Sequence, residues 1–215
     1  MRYACPPPSD PPEAAALRSV PLLLLLAALL PGPRAGAQES PRLHIAFLWH
    51  MHQPVYWPGE SLLQTEAAGH YGYSVVEIHL QRSGPYTTWP WEAVQKGITA
   101  GLGHLGAQIS FSGSLIRNLD ALEGAGQPAF AGWKGAWRTG SGASTILGNP
   151  RLDLVAFGDH HPLLALLDPA DVRPQIQEHR TRATALGGGS SRGVFPPENA
   201  FTSSLIPPLA QEGLE

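Results

Sequence analysis

The chemistry-bearing residues of this sequence gather in four short stretches. "HMHQP" supplies His50, His52 and Gln53, with Trp57 close behind; "SFSGS" supplies hydroxyls; "GDHHP" supplies Asp159, His160 and His161; "PPENAF" supplies the carboxylate Glu198. Imidazole changes protonation nearest neutrality and is a common metal ligand. A carboxylate set among such groups can serve as base or nucleophile. In an extended chain His50 and His52 fall on one side, and Trp49 and Met51 on the other, so the two imidazoles share a direction. Proton transfer, hydrogen bonding to a polar ligand and metal ligation are all within reach of these residue types.

Each stretch ends a run that reads as a strand: Leu43 to His50, Ala107 to Phe111, Leu152 to Phe157 and Gly193 to Phe195. The runs are nearly continuous in apolar residues, which predicts strands buried on both faces of a parallel sheet covered by helices. Helices fit between them. One begins near Pro90 with Trp91, Val94, Ile98 and Leu102 on a single face. A second runs from about Ser114 with Leu115, Leu119 and Leu122 as its stripe, and a third opens at "DPAD" with Asp168 as cap, Pro169 in the first turn, and Val172, Ile176 and Ala183 inward. The tail "IPPLAQEGLE" reads as a further helix with Ile206 and Leu209 inward. Strand alternating with helix predicts an α/β domain with parallel strands. In such folds ligands bind at the carboxyl edge of the sheet, where the loops after the strands converge. All four polar clusters fall there, which argues for one shared cleft.

Composition narrows the partners. The chain has 215 residues, 43% hydrophobic and 14% charged, with a formal charge of -3 and almost no lysine. No basic stripe exists to neutralise phosphates, which argues against a nucleic-acid partner and favours a neutral or weakly charged ligand. "GLGHLG" matches a dinucleotide fingerprint by letter, but it follows a helix and precedes a strand, the reverse of the required order. Residues 1–37 read as a signal peptide, with Arg18, the apolar run Pro21 to Leu30 and the small residues Ala35-Gly36-Ala37. Cleavage there would remove Cys5, the single cysteine, and leave residues 38–215 as a secreted or periplasmic domain with no disulfide and no membrane attachment.

"FLWHMHQPVY", with its His-Gln-Pro, resembles the opening signature of glycoside hydrolase family 57. "ISFSGSLIRNLDAL", "AFGDHHPLLALLD" and "GVFPPENAF" are similar to later segments of that family in order and spacing. The resemblance implies an incomplete (β/α)7 TIM-like barrel, of which about the first four β/α units are present here. It implies retaining action on α-glucans, by hydrolysis or by transfer, with no metal or other cofactor. Glu198 matches the family's nucleophile, and His50, His52, Gln53, Trp57, Asp159, His160 and His161 stand as substrate-binding candidates. Retention needs two carboxyl groups about 5 Å apart. The family's acid is an aspartate in a fourth signature that this sequence does not reach, so the chain reads as the amino-terminal portion of a longer enzyme, inactive alone. Phe195 and Asn199 depart from the family's commoner residues at their positions.

Three other readings remain open. His50, His52, His160 and His161 with Asp159 have the ligand types of a zinc site, as a metal-dependent polysaccharide deacetylase would need, although the H-x-x-x-H signature of such enzymes is absent from the sequence. A secreted glycan-binding protein would keep the aromatic and histidine contacts without turnover. Glu198 could also do no more than cap the helix after it.

Overall fold

A computed structural model describes Leu43, residues 45–189 and residues 191–215, with Ile45–Glu215 forming one compact unit. The predicted signal peptide, with Cys5, lies outside the described residues. Three parallel strands, β1 (Leu48–Met51), β2 (Ala107–Phe111) and β3 (Leu152–Leu154), form a sheet in the order β1-β2-β3. Leu48 pairs with Gln108, His50 with Ser110, and Gln108 with Asp153. The expected fourth strand is reduced to one parallel bridge between Ala156 and Val194.

Helices fill the connections: α1 (Leu62–Ala68), α2 (Val75–Leu80), α3 (Ser83–Tyr86) and α4 (Trp89–Thr99) between β1 and β2; α5 (Gly113–Gly124) and α6 (Lys134–Gly142) before β3; then α7 (Pro169–Thr184) and α8 (Ile206–Gln211). Their starts follow capping chemistry. Ser61 and Gln64 form a reciprocal capping box on α1, Ser112 accepts from Leu115 N–H at the head of α5, and Asp168 accepts from Ala170 N–H at the head of α7. Among the described residues no helix is long and apolar enough to cross a membrane.

The pleat sorts the sheet into two unlike faces. Ala107, Ile109, Phe111, Leu152 and Leu154 point into a core built with Leu115, Leu119 and Leu122 of α5, Trp137 of α6 and Phe130. A second core joins Val172 and Ile176 of α7 to Leu164, Leu205 and Leu209. The opposite face carries Leu48, His50, Gln108 and Asp153; the first three are exposed and Asp153 is half-buried. The expectation of strands buried on both faces therefore holds for one face alone.

Three further expectations are corrected. β1 is four residues long, not eight, and Ile45 and Phe47 before it are exposed, because β2 is its single neighbour among the described residues. In α4 the buried positions are Pro90, Val94 and Gly97, while Ile98 and Leu102 face solvent. Gly97 explains the rotation: a Cβ there would stand 1.9 Å from Leu105 Cδ2, so the backbone itself takes the inward position. Ile206 is exposed at the start of α8, where Pro208 and Leu209 are the buried residues.

Candidate active site

The carboxyl ends of β1 and β2 build the first half of the site together. His50 and Ser110 are register partners, and their side chains meet, His50 Nδ1 to Ser110 Oγ, at 2.8 Å. One pleat further, His52 Nδ1 meets Ser112 Oγ at 2.9 Å. Both serines are fully buried. Ser112 also caps α5 and lies 3.1 Å from Ser114 Oγ, which donates to the Gln53 carbonyl. The hydroxyl that starts the helix thus also holds an imidazole.

The loop after β3 brings in the third histidine. "GDHHP" turns sharply: His161 N–H donates to Gly158 C=O at 2.8 Å, and His161 takes a left-handed φ of 60°. This conformation lays its ring on His52, with centroids 3.9 Å apart and planes 24° apart. His50 lies 5.3 Å from the same ring. Phe157 and Phe195, stacked parallel at 6.0 Å, flank His50 at 5.7 and 5.6 Å. Phe195 belongs to the segment bridged to Ala156, so the weakest of the expected strands contributes a wall of the site.

Glu198 arrives from the turn Pro197–Asn199. It has φ 56°, ψ 21°, and Asn199 has φ 56°. With His161 these are the non-glycine residues of positive φ among the described residues, and left-handed backbone at side-chain-bearing residues gathers at functional sites. Glu198 Oε1 lies 3.4 Å from His161 Nε2, and its side chain is 67% exposed. The short helical turn that follows, Ser203–Leu205, has no side-chain cap, so the capping reading of Glu198 is not what the structure shows.

Burial and neighbouring charge favour the neutral form of His50 and His52. Burial, reinforced by the neighbouring His161 and His50, lowers the His52 pKa to about 4. Burial first, then His161, lowers that of His50, against an opposing contribution from Glu198. Two neutral rings are thereby held beside one solvent-facing carboxylate. Their Nδ1 atoms are engaged by serines, which leaves each Nε2 for a ligand.

The remaining candidates do not join this group. Asp159 is fully buried, and its carboxylate is taken by Arg117 Nη1 at 2.9 Å and Arg182 Nε at 3.1 Å, tying α5 to α7. Gly113 is required beneath it, since a Cβ there would stand 1.7 Å from Asp159 Oδ1. The expected part for Asp159 in holding sugar hydroxyls is corrected to a structural one. His160 turns to the same side, 3.5 Å from Asp159, with its N–H on Gln175 Oε1. Gln53 spends its amide locally, donating to Tyr86 Oη at 2.8 Å and accepting from Tyr56 Oη at 2.6 Å. Trp57 is half-exposed and stacks on His70, with centroids 3.9 Å apart and planes 14° apart.

Sequence reasoning assigned no role to Ser110 and Ser112. A signal was present: His-x-His in one strand and Ser-x-Ser in another have the same two-residue period, as side chains paired across a parallel ladder must.

The fold and this cluster define a parallel α/β domain with one carboxylate and three imidazoles at the carboxyl edge of its sheet. The chain belongs to glycosyl hydrolase family 57, whose family profile matches residues 46–215. It is 27% identical over 241 aligned positions to an alpha-amylase of Niallia circulans, covering 89% of this chain and 18% of that protein. Its fold is similar to the crystal structure of a 4-alpha-glucanotransferase from Thermococcus litoralis, with a TM-score of 0.52 and 20% identity over 82% of this chain and 22% of the other. The chain spans less than a quarter of the length of either relative.

Proposed function

We propose that this chain carries the nucleophile half of a retaining α-glucan-active glycoside hydrolase or transglycosylase, exported from the cell, with Glu198 attacking the anomeric carbon. The observation that supports this is the convergence of Glu198 with His161 and His50 at the sheet's carboxyl edge, 3.4 Å separating the carboxylate from His161. Glu198 is solvent-facing, so an incoming sugar can reach its carboxylate. The Nε2 atoms of His50 and His52, uncharged and held from behind by Ser110 and Ser112, suit sugar hydroxyls. Trp57 and Trp89 are exposed aromatics, whose flat faces would suit the C–H surfaces of glucose.

Retention needs a second carboxyl group about 5 Å from the first to protonate the leaving oxygen. The cluster of His50, His161 and Glu198 holds one carboxylate. The acid is therefore assigned to an aspartate of the family's later signature, in the part of the (β/α)7-type barrel that completes this one. The exposed sheet face with Leu48, His50, Gln108 and Asp153 fits the lining of such a barrel.

The nucleophile can be tested apart from the acid, because fluoride leaves without protonation. The chain is incubated with 5-fluoro-α-glucosyl fluoride, digested and examined by mass spectrometry. One glycosyl unit on the peptide containing Glu198, absent in Glu198→Gln, is the expected result. Labelling at another carboxylate would move the nucleophile. Glucan binding that persists in Glu198→Gln with no label in either protein would make the chain a binding module.

A further inference from the structure

The atoms of His50, His161 and Glu198 also form a ligand set of a different kind. One nitrogen or oxygen from each lies within 4.8 Å of the other two. His161 Nε2 and Glu198 Oε1, 3.4 Å apart, are separated by about one edge of a tetrahedron with metal–ligand bonds of about 2.1 Å, the length zinc makes to histidine nitrogen and carboxylate oxygen.

Two further features point the same way. The His161 side chain is nine-tenths buried, and its Nε2 has no hydrogen-bond partner although it faces a carboxylate. Buried polar atoms without partners are rare and call for an explanation, an ion among them. His50 has its Nδ1 fixed on Ser110, the outer-sphere anchoring that orients a metal-ligating imidazole and leaves Nε2 to bind. The exposed Glu198 side chain leaves an entry path and an open fourth position for water.

We infer that His50, His161 and Glu198 bind one divalent cation of the zinc type. The neighbouring set of Asp159, His160 and Glu178 is not equivalent. Arg117 and Arg182 already neutralise its carboxylates, and a cation there would meet two guanidinium groups. The cation site stands on its own atoms. One consequence rests on the glucan reading above: a bound ion occupies the Glu198 carboxylate, so cation and glucan exclude each other.

The test is a calorimetric zinc titration of the metal-free 215-residue chain, with cobalt(II) absorption reporting geometry. The expected result is one ion per chain and the visible bands of a tetrahedral cobalt centre. Affinity should fall at least tenfold in His161→Ala and in Glu198→Gln and stay unchanged in His160→Ala. Glu198→Gln changes an exposed side chain and keeps the fold even where His161→Ala does not. Absence of saturable binding, or equal binding in wild type and Glu198→Gln, overturns the site. Zinc affinity lost in the variants yet indifferent to added maltoheptaose keeps the cation site and removes the glucan from it.

Discussion

Replacing Asp159 with asparagine separates a structural carboxylate from a ligand-binding one. The side chain is fully buried and paired with Arg117 and Arg182, themselves 31% and 29% exposed. Breaking a buried ion pair by removing one partner costs about 3–5 kcal/mol, because the other charge is left uncompensated. Here both arginines reach some water, and Glu178 stands 3.6 Å from Arg117 and bonds Arg182. That relief lowers the expected cost to roughly 2–3 kcal/mol. For a unit of this size each kcal/mol moves Tm by about 2–4 °C, so Asp159→Asn should melt about 4–12 °C lower by circular dichroism. The double variant with Arg182→Ala should lose less than the sum of the single losses, as members of one network do. A Tm within about 1 °C of wild type, or strict additivity, would refute the assignment. Unchanged stability with weakened glucan binding would return Asp159 to the ligand.

Two further outcomes follow from the same geometry. Ser112→Ala removes the cap of α5 and the anchor of His52 together. It should cost about 1–2 kcal/mol in urea unfolding and broaden the His52 ring signals by NMR; an unaltered His52 environment would contradict the shared anchor. Stability should also fall as pH drops below 6.5, the ordinary histidine value, because burial lowers the folded-state pKa of His79 and His179. In that window the unfolded chain takes up protons that the folded chain refuses, so unfolding gains with acidity. His50 and His52 contribute with the same sign. Each buried ring costs up to about 1.4 kcal/mol for one pH unit below 6.5. A melting temperature flat from pH 7.5 to 5.5 would show these rings to be solvated.

Much of this arrangement is legible in the residues. The stripes Leu115-Leu119-Leu122 and Val172-Ile176-Ala183 are buried as their helical spacing requires, and Asp168 caps as a side chain before proline should. The His50/His52 direction follows from strand alternation alone. What spacing could not reveal is which neighbours of adjacent type part company. Asp159 and His161 are two residues apart, yet one pairs with helix arginines and the other turns back onto His52, because His161 adopts a left-handed backbone that periodicity does not encode. Ile98 and Leu102 looked inward by period, but a glycine packed closer than either could.

That left-handed backbone bears on any attempt to make the chain more heat-resistant. A side-chain-bearing residue in this region costs roughly 1–2 kcal/mol, so His161 and Glu198 together forgo about 2–4 kcal/mol out of the 5–15 typical of a domain. Glycine at Glu198, whose side chain is exposed, would relax the chain and win a screen for thermal tolerance, whereas at His161 the relief is offset by the lost packing of a buried ring. Survivors of such a screen would be sturdier proteins stripped of their reactive centre, so selection for robustness has to be run with a chemical readout beside it.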